Sequence, residues 1–320
     1  MKQPLISVVM PTYNHEKSIA NAIESVINQK GNIQLELIIG EDCSTDNTRN
    51  ICKVYQQKYP KNIKLILNNK NIGLLPNYRN IFNICSGKYI AILESDDIWT
   101  DPYKLEKEVQ FLEENPNYGL IHTNYELYDE INNKKTIGNI NTLPSGDIFI
   151  PLLKDRNHIA ALTVCFRKDL FDKYINIDSY IKEQFATIDY PLWLELSKYS
   201  HVKYLPDITS RYTISPNSIS NNKDVIKRKL FIDNIEKIQM YIIKKYQLNS
   251  DITNYIQVKH NKIMIELGYK YGWEVSEYIN RLPVGNLSEL IIKKVYGFPT
   301  ILKISQFFHK LKSKFIGFKN

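Results

Sequence analysis

Three carboxylates fall within four residues at Glu94-Ser95-Asp96-Asp97. They follow Lys88-Tyr89-Ile90-Ala91-Ile92-Leu93, a short and mostly apolar run that reads as a buried strand. Open α/β sheets bind ligands beyond the carboxyl ends of their strands. Clustered oxygens there suit a hard divalent cation that also touches phosphate. That chemistry points to a metal-bound diphosphate, of which a sugar nucleotide is the foremost case. A solvated acidic turn that caps a helix has the same composition.

Three further clusters share the setting. Pro11-Thr12-Tyr13-Asn14 follows the apolar run Leu5 to Met10. Tyr13 can stack on a base and Thr12 can hydrogen-bond to it, or the segment is a turn with a packed ring. Glu41-Asp42-Cys43-Ser44-Thr45-Asp46 follows a second apolar run, Leu35 to Ile39. Asp42 can accept from the imide of a uracil, while Thr45 or Asp46 caps the next helix. Asn71-Ile72-Gly73 precedes Arg79-Asn80. Glycine there admits a ligand close to the backbone, and Arg79 either grips a diphosphate or makes a surface ion pair.

The elements that must position these residues alternate. Strands are expected over 5–10, 35–39, 63–67 and 89–93, and helices over 18–29, from Thr45 or Asp46 to Pro60, and over 77–85. Strands separated by helices imply right-handed crossovers and a mainly parallel sheet. A helix over 101–112 and a strand over 119–123 follow, and the polar stretch 129–147 reads as a hairpin or loop. Beyond about Ser220 the strand signals fade, and Phe231, Ile235, Ile238 and Ile242 form a helical stripe. The expected division is an α/β domain over 1–220 and a helical region over 221–320.

These four clusters, in this order and each at a strand end, resemble the inverting family 2 glycosyltransferases of the GT-A fold, a Rossmann-like sheet flanked by helices. The matching text runs from Ser7 through Asn14, Glu41 through Asp46, Asn71 through Asn80 and Gly87 through Asp97. The resemblance implies that Pro11, Thr12 and Tyr13 hold the base and that Asp42 reads the uracil edge. It places Asn71 and Arg79 near the ribose or diphosphate. Glu94-Ser95-Asp96 matches the family's DxD motif: Glu94 and Ser95 would contact the donor, and Asp96, with Asp97 as second candidate, would bind Mn2+ or Mg2+. Ile188-Asp189-Tyr190-Pro191-Leu192-Trp193 resembles the motif that carries the catalytic base, here Asp189. The alternative for Asp189 is a helix N-cap. Arg211-Tyr212 and Ser218 to Ser220 match, more loosely, a loop that closes over the diphosphate. The chain departs from the family at Glu94, where aspartate is usual, at Glu41 likewise, and at Ile188, where glutamate is usual.

The implied activity is metal-dependent, inverting transfer of a hexosyl group from a nucleotide sugar, with UDP the expected carrier. The acceptor would be a hydroxyl of a glycan or lipid-linked glycan in surface polysaccharide synthesis. A degenerate scaffold that binds sugar nucleotide without turnover is one alternative. A sugar nucleotidyltransferase is another, although the segment after the first strand lacks that chemistry's glycine-rich basic loop. The absence of GxGxxG there disfavours a dinucleotide-dependent dehydrogenase.

Composition sets the remaining bounds. At 43% hydrophobic and 24% charged residues the chain is ordinarily globular. Cys43, Cys52, Cys85 and Cys165 show no CxxC pair and read as reduced thiols of a cytoplasmic protein. Neither a signal peptide nor a membrane span is expected. Of the net charge of +8, the segment 289–320 supplies +6, from seven lysines against one glutamate. Ile301, Ile304, Phe308, Leu311 and Phe315 run along this lysine-rich tail at helical spacing. Such a helix can lie on an anionic membrane surface, here the inner face of the plasma membrane, or pack on protein. Flotation with anionic liposomes, full-length against a chain cut before Leu287, separates the two. Failure of the full-length chain to float removes the membrane reading. Basic charge confined to an apolar-striped tail argues against a nucleic acid partner.

Overall fold

The computed structural model describes residues 3, 5–138, 145–214 and 225–283. The elements run in the order β1 (Leu5–Thr12), α1 (Ile19–Ile27), β2 (Gln34–Glu41), α2 (Thr48–Lys58), β3 (Ile63–Leu67), α3 (Leu74–Phe82), β4 (Tyr89–Ile92), β5 (Ile98–Trp99), α4 (Lys104–Glu114), β6 (Tyr118–Asp129), β7 (Lys134–Ile137), α5 (Phe149–Lys154), β8 (Val164–Arg167), α6 (Lys168–Tyr174), α7 (Ile177–Lys182), α8 (Asp189–Tyr199) and β9 (His201–Ile214). Among the described residues, α9 (Val225–Lys245), α10 (Ser250–Tyr271) and α11 (Ser276–Asn280) follow. The chain divides into two compact units, Met1–Asn221 and Asn222–Asn320.

The first unit is built on one sheet with strand order β3-β2-β1-β4-β8-β6-β9-β5, and β7 pairs with β6 as a hairpin. β3, β2, β1 and β4 are mutually parallel, as are β6 and β9, while β8 runs antiparallel between β4 and β6. Ile6, Val8 and Met10 of β1 pack with Leu37 and Ile39 of β2 and with Ile19, Ile23 and Val26 of α1 in one buried cluster. Burial of both sheet faces is what the continuous apolar runs of β1 and β4 signal.

Several bounds differ from the sequence expectation, each for a physical reason. β1 continues through Pro11 to Thr12. Val9 O accepts from Leu93 N at 3.0 Å, so the edge of β1 that Pro11 shares with Val9 faces β4. β4 ends opposite Val9, and the missing proline donor therefore breaks no ladder bond. α3 starts at Leu74, not Asn77. Its Pro76 lies in the first turn, where an amide has no helical partner. β9 carries Pro206 and gave no clear strand signal. Its register against β6 jumps from His122↔Tyr204 to Asn124↔Ile208, so Pro206 sits in the bulge between paired segments.

The second unit is helical. Asn249 caps α10 through its side chain, which accepts from Ile252 N at 3.1 Å. Gly272 ends the helix with φ +84°, the left-handed turn that glycine adopts without strain. Met264, Ile265, Val275, Tyr278, Ile279 and Leu282 form this unit's core. Among the described residues no helix is long and apolar enough to cross a membrane. The tail stripe Ile301 to Phe315 and the serines Ser218 to Ser220 lie outside the described residues.

Candidate active site

The parallel strands β1, β2 and β4 end on one edge of the sheet, and the four sequence clusters collect there. Glu94, Asp96 and Asp97 follow β4 directly. Each offers a carboxylate oxygen, and these oxygens lie within 4.8 Å of one another. Asp97 is 2% exposed, and its Oδ1 accepts from Thr213 N of β9 at 3.0 Å. Burial first, then the charge of Asp96, pushes the Asp97 carboxyl well above the ordinary range. The same two causes raise Glu94 to about 7. No cationic side chain among the described residues offsets either shift. A partly buried cluster of carboxylates, with no counter-charge among the described residues, fits a divalent cation held by oxygen ligands.

Asp189 stands close enough for its charge to raise both Glu94 and Tyr78. It is the first residue of α8, and the N-cap position belongs to Ile188. Oδ2 accepts from Asn157 Nδ2 at 2.6 Å, and Oδ1 accepts from Tyr190 N at 2.8 Å and from the Thr187 hydroxyl. Burial raises the Asp189 carboxyl despite these three donors. The result is a carboxylate fixed in orientation and readier than usual to take a proton.

The remaining candidates divide into those that face outward and those that hold the edge together. Tyr13 is 41% exposed, an aromatic face open to a ligand. Pro11 and Thr12 are buried, and Ser95 Oγ donates to Thr12 Oγ1 at 2.8 Å, tying the ends of β1 and β4. Ser95 also pairs with His15 Nδ1. The side chains of Thr12 and Ser95 are thus turned to each other. Asp42 is buried, and Oδ1 accepts from Asn68 Nδ2 and Ile72 N, both at 2.9 Å. Its Oδ2 accepts from Gly73 N at 2.9 Å. Asp42 therefore pins the turn into α3, where Gly73 sits at φ +87°, and one acceptor position on Oδ2 is left for a ligand. Asn71 is exposed at the lip of that turn.

Of the two readings of Arg79, the structure shows the surface ion pair. Its guanidinium donates to Asp178 Oδ1 of α7 at 2.8 Å, both groups well exposed. The helix turns Arg79 toward α7 and presents its neighbour Tyr78 to Glu94 instead, since successive helical residues point about 100° apart. Arg211 is likewise engaged, its Nε 2.6 Å from Glu126 Oε1 across the β6–β9 pair.

Comparison with known proteins fixes the family. Residues 7–175, more than half of the chain, match the model of Glycosyl transferase family 2. The chain belongs to that family. It is 34% identical over 225 residues to the UDP-Glc:alpha-D-GlcNAc-diphosphoundecaprenol beta-1,3-glucosyltransferase WfgD of Escherichia coli, covering 70% of this chain and 82% of WfgD. Proteins of Mycobacterium tuberculosis and Mycobacterium bovis are 27% identical over 227 residues, 71% of this chain but only 63% of theirs. In three dimensions the chain is similar to S. aureus TarS 1–349 in complex with UDP, with TM-score 0.58, 17% identity and coverage of 91% of this chain and 78% of that one. It is also similar to the mannosyltransferase PcManGT from Pyrobaculum calidifontis in complex with GDP-Man and Mn2+, with TM-score 0.57, 13% identity and coverage of 96% and 88%. The fold is accordingly the mostly parallel, helix-flanked sheet of GT-A glycosyltransferases.

Three residues of this family 2 site escaped the sequence reading. Tyr78, Asn157 and Thr213 touch Glu94, Asp189 and Asp97 respectively. Nothing in their local sequence distinguishes them. Tyr78 fits a helix core, and Thr213 contributes a backbone N–H that any residue but proline would supply.

Proposed function

We propose that this chain is an inverting hexosyltransferase that uses a UDP-sugar and Mn2+ or Mg2+, and that its acceptor is a hydroxyl of a glycan or lipid-linked glycan in surface polysaccharide synthesis. The observation that carries the reading is the pairing of two differently built carboxylate sets. Glu94, Asp96 and Asp97 converge without a cation among the described residues, whereas Asp189 stands within electrostatic reach of Glu94 and is anchored through three donors. Convergent carboxylates suit a metal diphosphate; a lone oriented carboxylate suits proton abstraction. The UDP donor named for WfgD and the UDP bound in TarS support the choice of carrier. The diphosphoundecaprenol acceptor of WfgD supports a lipid-linked one here.

In this reaction Asp189 takes the proton of the acceptor hydroxyl as that oxygen bonds to the anomeric carbon. The bond from that carbon to the diphosphate breaks on the opposite face, and the UDP departs. One displacement inverts the anomeric configuration without a covalent sugar–enzyme species. A cation held by Asp96 and Asp97 would neutralise the departing diphosphate. Asn157, Thr187 and the Tyr190 amide keep the Asp189 carboxylate from turning away. Tyr13 offers its ring to the base.

Isothermal titration of UDP, UMP and ADP, with and without Mn2+, on the unsubstituted chain and on Asp96→Ala tests this reading. UDP is expected to bind only with Mn2+, and the variant is expected to lose that binding. Absence of nucleotide binding under every condition would reject the UDP-donor assignment.

A further inference from the structure

Arg49, Arg79, Arg167 and Arg211 of the first unit are all engaged, with Glu41, Asp178, the Tyr118 carbonyl and Glu126 respectively. Arg156, the remaining arginine of that unit, is exposed and makes no hydrogen bond or ion pair among the described residues. Its place is set by its neighbours. Asn157, next in the chain, donates to Asp189 Oδ2 at 2.6 Å and accepts from Ile159 N at 3.0 Å. The backbone that carries Arg156 is therefore tied to the carboxylate that takes the acceptor's proton. Burial, then the charge of Asp97, raises the Tyr125 hydroxyl of β6, and the charge of Arg156 opposes them. Arg156 is not among the charges that act on Glu94 or Asp97. It is set on the base's side of the site, back from the metal-binding acids.

In a single displacement the acceptor oxygen and the departing diphosphate lie on opposite faces of the anomeric carbon. An arginine serving the departing diphosphate would stand beside the acids and act on them. One tied to the base meets the acceptor. A guanidinium grips phosphate through paired N–H donors in a fixed fork. Because Arg156 adjoins the residue that anchors the base, the phosphate within its reach belongs to the sugar that bears the accepting hydroxyl. We propose that Arg156 binds a phosphate carried by the acceptor, and so selects acceptors whose reacting sugar is joined directly to that phosphate. The inference rests on the function proposed above and narrows its acceptor to a phosphate-linked sugar.

The test is isothermal titration of geranyl phosphate and of geraniol into the chain saturated with UDP and Mn2+, which fills the donor site. The unsubstituted chain is expected to bind the phosphate about tenfold or more tightly than the alcohol, the range of one hydrogen bond to a charged group. Arg156→Gln, at an exposed and unpaired position, is expected to bring the two within about threefold of each other and to leave UDP affinity within about twofold. Equal binding of phosphate and alcohol by the unsubstituted chain overturns the inference. So does a preference that survives Arg156→Gln, which would put the phosphate on another cation. Loss of UDP affinity in Arg156→Gln also overturns it, by assigning Arg156 to the donor. A chain that binds no UDP rejects the donor reading and this inference together, an outcome distinct from the others.

Discussion

Replacing Asp97 with asparagine is expected to raise the melting temperature of the metal-free chain and to abolish the further rise that Mn2+ gives. Asp97 is almost fully buried beside Asp96, and among the described residues its carboxylate accepts one hydrogen bond, from the Thr213 amide. Asparagine keeps the acceptor for that amide and removes the charge. The sign follows from proton counting. With the folded value above the unfolded one, the native state holds more protons than the unfolded state in the window between them. For Asp97 the window opens near 3.8 and extends well above it; for Glu94 it runs from 4.5 to about 7. Stability of the metal-free chain should therefore fall as pH rises through that window, and less steeply in the variant. The gain near neutral pH should be on the order of 1 kcal/mol, a shift of a few degrees for a domain this size. Mn2+ at a hundred times its dissociation constant should stabilise the unsubstituted chain by about 2.7 kcal/mol. The variant should forfeit most of this and about a hundredfold or more in turnover. A metal-free variant that melts lower than its parent, or that gains as much from Mn2+, would remove Asp97 from the metal site.

The parts of the site that could be read in the sequence are those whose residue types are costly anywhere else. Three acids after an apolar strand have few uses, and Asp96 and Asp97 do converge. Their supports were not legible, because support is given by whichever side chain the tertiary fold brings near. Asp189 is anchored by Asn157, 32 residues away, and Asp97 by an amide 116 residues away. Arg79 and Tyr78 show the limit sharply. Either could have met the acids; α3, anchored through Asp42 to Gly73 and Asn77 to Gly40, turns Tyr78 to Glu94 and Arg79 to Asp178. The fold follows the same division. Strands with a simple apolar run, such as 63–67, are recovered to the residue. β9 is not, because its pairing tolerates Pro206 through a bulge whose existence depends on β6.

Asp189→Asn should separate chemistry from binding more cleanly than any other single change. The asparagine Oδ1 can keep the Tyr190 amide and the Thr187 hydroxyl. Its Nδ2, however, would meet Asn157 Nδ2, donor against donor. Asn157 cannot simply flip its amide, because its Oδ1 already accepts from Ile159 N at 3.0 Å. A local loss of about 1 kcal/mol is expected from that mismatch. The rate should fall far more, by about a hundredfold to ten-thousandfold, the range for losing a general base. UDP and Mn2+ affinity should stay within about twofold, since Asp189 is not among the converging carboxylates. The parent enzyme carries its own control in its pH profile. Burial raises Asp189, so its proton-accepting form appears only above the ordinary carboxylate range, and the rate at saturating donor should climb with pH to a plateau. Burial and the charge of Asp96 raise Glu94 to about 7, so a second ionisation falls in the same range, and the Asp189 variant identifies which of the two sets the limb. The variant should lose the rising limb. If it keeps a tenth of the parental rate with that limb intact, the proton is taken elsewhere, and Asp189 serves only to hold α8 against the segment around Asn157.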